Sequence, residues 1–214
     1  MSEKISVEQK YTDVVIDIET LSTQPNALVA TVGIAAFNVN EPGDRIYKKH
    51  HIKLSPNQQH IKGRHVCPGT QAWWGKQSIE AIDQTFIYGE ISGINQLYSI
   101  LEKFKDCRVW GNGPEFDLVI LESLLKDFGF EWPFKYWNHH SVRTAIEGLK
   151  IIYSNDDIKN EIAFEGVKHC AVDDAMHEAY FVQWYLKELR KRSQSIKIKN
   201  DPVGAEHEHQ KNIN

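Results

Sequence analysis

Residues 14–20, VVIDIET, constrain the chain most: a run rich in β-branched residues ends in two carboxylates one residue apart. A strand places residues i and i+2 on one face. Asp17 and Glu19 therefore project side by side, while Val14, Ile16 and Ile18 pack into an interior. Two like charges held that close repel, and burying unpaired carboxylates costs on the order of several kcal/mol per ion. A bound cation or a raised pKa has to offset this. A divalent metal is the simplest offset; a merely solvated strand end is the alternative, and residues downstream decide between them.

At 214 residues the chain is long enough for one substantial core, and two full domains would be cramped. The reading is one domain over residues 1–192 and a mobile C-terminal tail over 193–214. Hydrophobic content of 41% and charged content of 25% are those of an ordinary soluble protein, with no apolar run long enough to span a membrane. MSEKISVEQK carries charges where a signal peptide needs an apolar core, which points to the cytoplasm. Cys67, Cys107 and Cys170 are odd in number and form no CxxC pair, so they exclude a disulfide framework and a zinc site and read as buried thiols. The formal net charge of −4 vanishes once the four acids named below as metal ligands are set aside. That balance speaks against tight non-specific duplex binding, not against a metal-anchored grip on a short strand.

After the first strand, LSTQPNAL marks a loop, and VATVGIAAF predicts a second strand paired to the first. The Pro-Gly pair in NEPGD, residues 40–44, predicts a turn into a third strand along RIYKKHHIKL. Three sequential strands imply an antiparallel start to the sheet. Residues 55–69 are polar, contain Pro56, Gly63, Pro68 and Gly69, and read as a loop. From Thr70 the pattern is helical through QAWWGKQ, SIEAIDQTF and INQLYSILEKF, the second opened by the candidate cap Ser78. CRVWGNG gives a short strand before PEFDLVILESLLKDFG, a helix with Pro114 in its first turn and Gly129 past its end. Strand, glycine turn and helix N-terminus make a corner suited to an active site. FKYWNHHS supplies a fifth strand, VRTAIEGLKII a helix, and residues 154–168 an irregular stretch. The last helix, DDAMHEAYFVQWYLKELRKR, has Ala175, Ala179, Val182 and Leu186 on its apolar face.

Three acidic stations punctuate this order: Asp17 with Glu19, Asp117 in the first turn of a helix, and Asp173-Asp174 preceded by His169. Each is ordinary alone, since Asp near a helix N-terminus is often only a favourable dipole partner. Together, DIET, NGPEFD and HCAVDDA resemble the three sequence blocks of the DEDDh 3′-to-5′ exonucleases, in order and with the H-x-A-x-x-D spacing intact. The resemblance covers residues 13–190 or so and is closest to small phage and bacterial exonucleases similar to exonuclease A, to which WWGKQS at 73–78 and SVRT at 141–144 are also similar. It implies an α/β domain of ribonuclease H-like fold, a mixed five-stranded sheet flanked by helices. Carried over residue by residue, the catalytic positions fall on Asp17, Glu19, Asp117, His169 and Asp174. The five-residue gap from His169 selects Asp174 over Asp173. At about 100° per residue that gap turns the histidine away from Asp174, so His169 is expected in the loop before the helix.

Four carboxylates suit phosphodiester hydrolysis, which needs an attacking hydroxide, charge relief in the transition state and help for the leaving 3′-oxygen. Two divalent ions about 3.5–4 Å apart supply all three. Four hard oxygen donors neutralise two such ions and suit Mg²⁺ or Mn²⁺ rather than zinc. Asp17 would bridge the ions, Glu19, Asp117 and Asp174 would divide the remaining positions, and His169 would be the general base. The products would be nucleoside 5′-monophosphates. Candidate substrate contacts are Thr20, Trp73, Trp74, Asn112 and Arg143. Stacking on tryptophan is worth about 1–3 kcal/mol per base and tolerates any sequence; one ring of the pair is expected in the core and one exposed. Arg143 reaches either a phosphate or an acid of its own chain. The basic run 187–199 reads as a solvated helix end, and EHEHQ at 206–210 as a solvated tail rather than a chelator.

The resulting reading is a metal-dependent 3′-to-5′ exonuclease acting on single-stranded DNA or RNA; similar exonucleases often pair, which makes a homodimer one of the assemblies open to it. A ribonuclease H-like endonuclease on the same scaffold is one rival, separated by a closed circular strand that an exonuclease leaves intact. A nucleic-acid-binding module without turnover is the other; the presence of all five catalytic candidates argues against it, and an assay with Mn²⁺ decides.

Overall fold

The computed structural model describes residues 11–41, 43–87 and 89–200, with side chains as far as 196. Its central strand is β1, Asp13–Thr20, between the antiparallel β2, Val29–Phe37, and the parallel β5, Arg108–Gly111. β3, Ile46–Leu54, continues the antiparallel series, β4, Ile91–Ser92, extends it in parallel, and β6, His139–Ser141, lies parallel outside β5. The sheet is mixed as expected, in the order β4-β3-β2-β1-β5-β6, but among the described residues it has six strands and not five. The additional strand is two residues long, pairing Ile91 with Lys53 and Ser92 with Leu54, too short to leave an alternating pattern in the sequence.

Alternation along β1 assigns the two faces of the sheet. Val14, Ile16 and Ile18 join Val32, Ile34 and Ile52 under α4, Ile94–Leu101, and α5, Pro114–Asp127, meeting Leu97, Leu101, Leu118 and Leu121. On the other face Val15, Ala35 and Phe37 pack against α6, Val142–Tyr153, and α7, Ala171–Asn200, through Val142, Ala145, Leu149, Ala175 and Val182. Full burial of one such Val, Leu, Ile or Phe side chain contributes roughly 1.5–3 kcal/mol, so two apolar layers hold the sheet while the acidic end of β1 is left for chemistry. Asp17 and Glu19 share the second face with Val15, and their carboxylates point toward α7.

Residues 55–69, read as a loop, contain α1, Pro56–Ile61, and the start of α2, Pro68–Trp74. Ser55 caps α1 by accepting from the Gln58 N–H, and Pro56 stands in its first turn. The helix is tied to β2 by Gln59, whose buried amide accepts from the Val29 N–H at 2.8 Å and donates to the Val29 carbonyl at 2.7 Å. A polar residue doing the work of an apolar one leaves no hydrophobic periodicity to read. α3, Ile79–Ile82, is capped by Ser78 as expected and runs into a wide turn over residues 83–87.

Two polar clusters brace the sheet and its flanking helix α5. Asp13 accepts from Arg108 Nε at 2.7 Å and Trp110 Nε1 at 2.9 Å, joining the starts of β1 and β5. Buried Arg64 donates to the Ala27 carbonyl and to Ser123 and Asp127 of α5, each at 2.9 Å. α7 continues past Arg192 to Asn200; residues 201–214, EHEHQ among them, lie outside the described residues. Cys107 and Cys170 are buried as expected, whereas Cys67 is only partly so, because it opens α2 at the rim of a cavity. Among the described residues no helix is long and apolar enough to cross a membrane.

Candidate active site

Asp17 pairs across the ladder with Gly33 of β2, and a Cβ on that glycine would overlap the carbonyl of Ala171. The bare backbone lets the first turn of α7 lie directly on the sheet. Asp174 and, one turn later, Glu178 are thereby carried over the acidic end of β1. The parallel strand β5 ends beside it at Gly111, where the chain turns through Asn112 and Gly113 into α5. Asp117, in the first turn of α5, accepts the Gly113 N–H at 3.2 Å, and a Cβ on Gly111 would stand 3.1 Å from its own Cβ. The crevice beyond the carboxyl ends of neighbouring parallel strands is where α/β sheets place their ligands.

The two adjacent aspartates of α7 do different things. Asp173 Oδ2 accepts the Val167 N–H at 2.9 Å and shapes the loop around Gly166, whose φ is 101°. Asp174 Oδ2 accepts the His169 N–H at 2.7 Å and lines the cleft. His169 stands before α7, not on it, in a left-handed conformation with φ 65° that few non-glycine residues adopt. Its carbonyl accepts from Thr85 Oγ1 at 3.2 Å, and its ring meets Trp73 edge-on at 5.0 Å between centroids. The tryptophans divide: Trp74 is 4% exposed and donates to the Thr20 carbonyl at 2.9 Å, and Trp73 is 42% exposed.

Asp17, Glu19, Asp117, Asp174, His169, Asn112 and Arg143 together line a cleft of about 260 Å³. An apolar cavity of about 490 Å³ adjoins it, sharing Ile18, Glu19 and Phe116 and walled by Thr20, Thr70, Trp73 and Trp74. Each candidate catalytic or substrate-contact residue therefore lines one of two contiguous hollows, whereas Asp173 lines neither. Thr20 donates its hydroxyl proton to the Ser22 carbonyl at 2.6 Å, so it shapes the cavity wall from a fixed position.

Residues 12–186 match the family model described as the 3′-5′ exoribonuclease Rv2179c-like domain. The chain belongs to that family. It is also similar to the exodeoxyribonuclease of Enterobacteria phage T4, at 26% identity over 198 residues, covering 77% of this chain and 86% of the phage protein. The nuclease domain of 3′hExo, a DEDDh family member bound to rAMP, has the same fold with a TM-score of 0.55 at 13% identity, covering 85% of this chain and 94% of that one. S. pombe Pop2p in its Mg²⁺- and Mn²⁺-bound form gives 0.53 at 14% identity, covering 85% and 84%. The ribonuclease H-like architecture expected from the sequence is thus the observed one, and the protein is an exonuclease acting on nucleic acid.

Burial governs the charges of this exonuclease. It lifts the Asp17 carboxyl well above the usual carboxylate range, reinforced by Glu178, Asp117, Glu19 and Asp174. Glu19 is pushed up to about 9 by burial and then by the charges of Asp174 and Asp117. Burial takes Asp117 up to about 7 against the restraint of backbone N–H donors and Arg143. Asp174 is raised by burial and held back by the His169 N–H. Carboxylates desolvated among one another are stabilised by a cation. Glu19, His169 and Asp174 offer ligand atoms within 4.8 Å of one another, and the oxygen-rich donor set suits a hard divalent ion. The residues present fit such a metal. The sequence reading passes over Phe116 and Glu178. An acid within a long helix normally marks its solvated face; the available signal was the i+4 spacing from Asp174, which puts both on one side of the helix.

Proposed function

We propose that the exonuclease removes nucleoside 5′-monophosphates from the 3′ end of single-stranded nucleic acid, using two divalent cations, Mg²⁺ or Mn²⁺, held by Asp17, Glu19, Asp117 and Asp174. The observation that carries this is the convergence of four desolvated carboxylates and one imidazole on a cleft beside an apolar cavity. Bound there, the cations would supply charge neutralisation at the scissile phosphate and acidify the attacking water. His169 takes the proton from that water. In support, its backbone N–H and carbonyl are both tied down, and its ring lies close enough to Glu19 and Asp174 for one water to reach them together. Trp73 and Phe116 line the apolar cavity in which the terminal base would stack, and stacking of this kind is indifferent to sequence. Arg143 extends its guanidinium over the same cleft, where it already draws down the carboxyls of Asp117 and Glu178 and can meet a phosphate. Pairing into a homodimer rests on the resemblance to similar exonucleases and is read by analytical ultracentrifugation.

The test uses 5′-labelled DNA and RNA strands of matched sequence, with Mn²⁺ and with chelator. A ladder shortening from the 3′ end, abolished by chelator, is expected, with closed circular strands left intact. Immediate release of the 5′ label as mononucleotide would reverse the polarity, and cleavage of the circle would make the enzyme an endonuclease.

A further inference from the structure

The cleft contains one acidic side chain for which the five-residue constellation has no role. Glu178 lies one turn beyond Asp174 on α7, is only 8% exposed, and has Oε2 buried without a hydrogen-bond partner. It lines the acidic cleft and also a second cavity of about 570 Å³ on the far side of His169 and Asp174. Leaving a buried carboxylate oxygen unpaired is unfavourable; an amide would remove the charge and its repulsion, and an apolar side chain of similar size would remove the penalty altogether. The groups around it make the position worse: Asp117 and Asp174 press on it, Arg143 and Lys159 relieve it only in part, and burial outweighs them all. Among the charged neighbours of Asp17, Glu178 acts most strongly. Glu178 lines the same cleft as the other four acids with Oε2 buried and unpartnered, an arrangement that a bound cation would satisfy.

Resting on the functional reading above, we propose that Glu178 is a fifth carboxylate of the metal centre, holding a divalent cation together with Asp17. The class of ligand is a hard divalent ion with oxygen donors, and the residue's position on the first two turns of α7 gives that helix two points of attachment to the metal, Asp174 and Glu178. Docking of α7 and loading of metal then reinforce each other.

The experiment is calorimetric titration of Mn²⁺ into wild type, Glu178→Gln, Asp17→Asn and Glu147→Gln, the last removing one charge from the exposed side of α6. Metal-free melting temperatures are measured in parallel. Glu178→Gln is expected to weaken Mn²⁺ binding by about 10- to 100-fold or more, since loss of a group merely hydrogen-bonded to a ligand already costs that much. Its metal-free melting temperature should equal or exceed that of wild type, and Glu147→Gln should bind as wild type does. Wild-type affinity and stoichiometry in Glu178→Gln would overturn the proposal. So would a metal-free melting temperature that falls along with the affinity, because the residue would then be structural. If wild type itself binds no Mn²⁺, the functional reading fails and this inference fails with it.

Discussion

Gly33 and Ala171 meet backbone to backbone: a Cβ on the glycine would overlap the alanine carbonyl and crowd the Val172 nitrogen. Because Gly33 is also the ladder partner of Asp17, this contact sets the distance between β1 and the carboxylates of α7. Gly33→Ala should push the helix outward. Overpacking of this kind costs about 1–3 kcal/mol, and the displacement falls on Asp174 and Glu178. We expect a lower melting temperature together with loss of Mn²⁺ stabilisation and of turnover. A variant that melts, binds and cleaves like wild type would show that α7 does not depend on the bare backbone.

Metal should stabilise the folded chain, because it relieves repulsion among Asp17, Glu19, Asp117 and Asp174. At a hundredfold excess over Kd, ligand binding contributes about 2.7 kcal/mol, a readily measured shift in melting temperature. Asp17→Asn removes charge from the centre of the cluster and should respond weakly to Mg²⁺ or Mn²⁺. Equal metal-induced shifts in the two proteins would reject Asp17 as a ligand.

For His169, geometry allows two roles, since its ring nitrogen falls within 4.8 Å of ligand atoms of Glu19 and Asp174. As a base it should be dispensable for metal binding. His169→Ala is expected to lose single-turnover rate by about 10²–10⁴-fold, the usual range for general-base catalysis, while its Mn²⁺ affinity stays near that of wild type. Affinity reduced as severely as in Asp174→Ala would make the histidine a ligand. An unchanged rate would remove it from the mechanism.

The acidic cluster also sets a pH dependence. The Glu19 carboxyl is raised from 4.5 to about 9 and that of Asp117 from 3.8 to about 7. Each favours the protonated form in the folded protein, so its contribution is fully present below the unfolded pKa and is lost as pH rises through the folded one. Chelated enzyme should therefore melt at falling temperatures from about pH 5 to about pH 9. The gain from Mn²⁺ should grow over the same interval, because cations bind the deprotonated carboxylates. Scanning calorimetry with and without chelator checks both; a metal-free melting temperature that climbs across this window would contradict the electrostatic account.

Legibility in the sequence follows from how each feature is encoded. β1 was plain because alternation and a doubled carboxylate coincide at Asp17 and Glu19. His169 and Asp174 were legible through the resemblance of HCAVDDA to the third DEDDh block, whose H-x-A-x-x-D spacing the chain keeps across a loop-to-helix transition. Neither β4 nor α1 leaves such a trace: two residues cannot alternate, and Gln59 buries an amide where a periodicity search expects a hydrophobe. The partition of Trp73 and Trp74 depends on what lies over α2, and only the fold brings His169 and Phe86 against those rings. Glu178 was hidden for a different reason. Sequence alone shows that an acid follows Asp174 by one helical turn, but its unsatisfied oxygen is a property of the packed cleft.

The seating of α7 on Gly33 has a consequence for synthesis. β1 is the first element described and α7 the last, so translation delivers the two halves of the cleft far apart in time. A nascent chain that has emerged as far as Asp117 carries Asp17, Glu19 and Asp117 of the cleft but neither His169 nor Asp174. Until α7 leaves the ribosome and docks on the bare backbone of Gly33, the cleft has only one of its two walls.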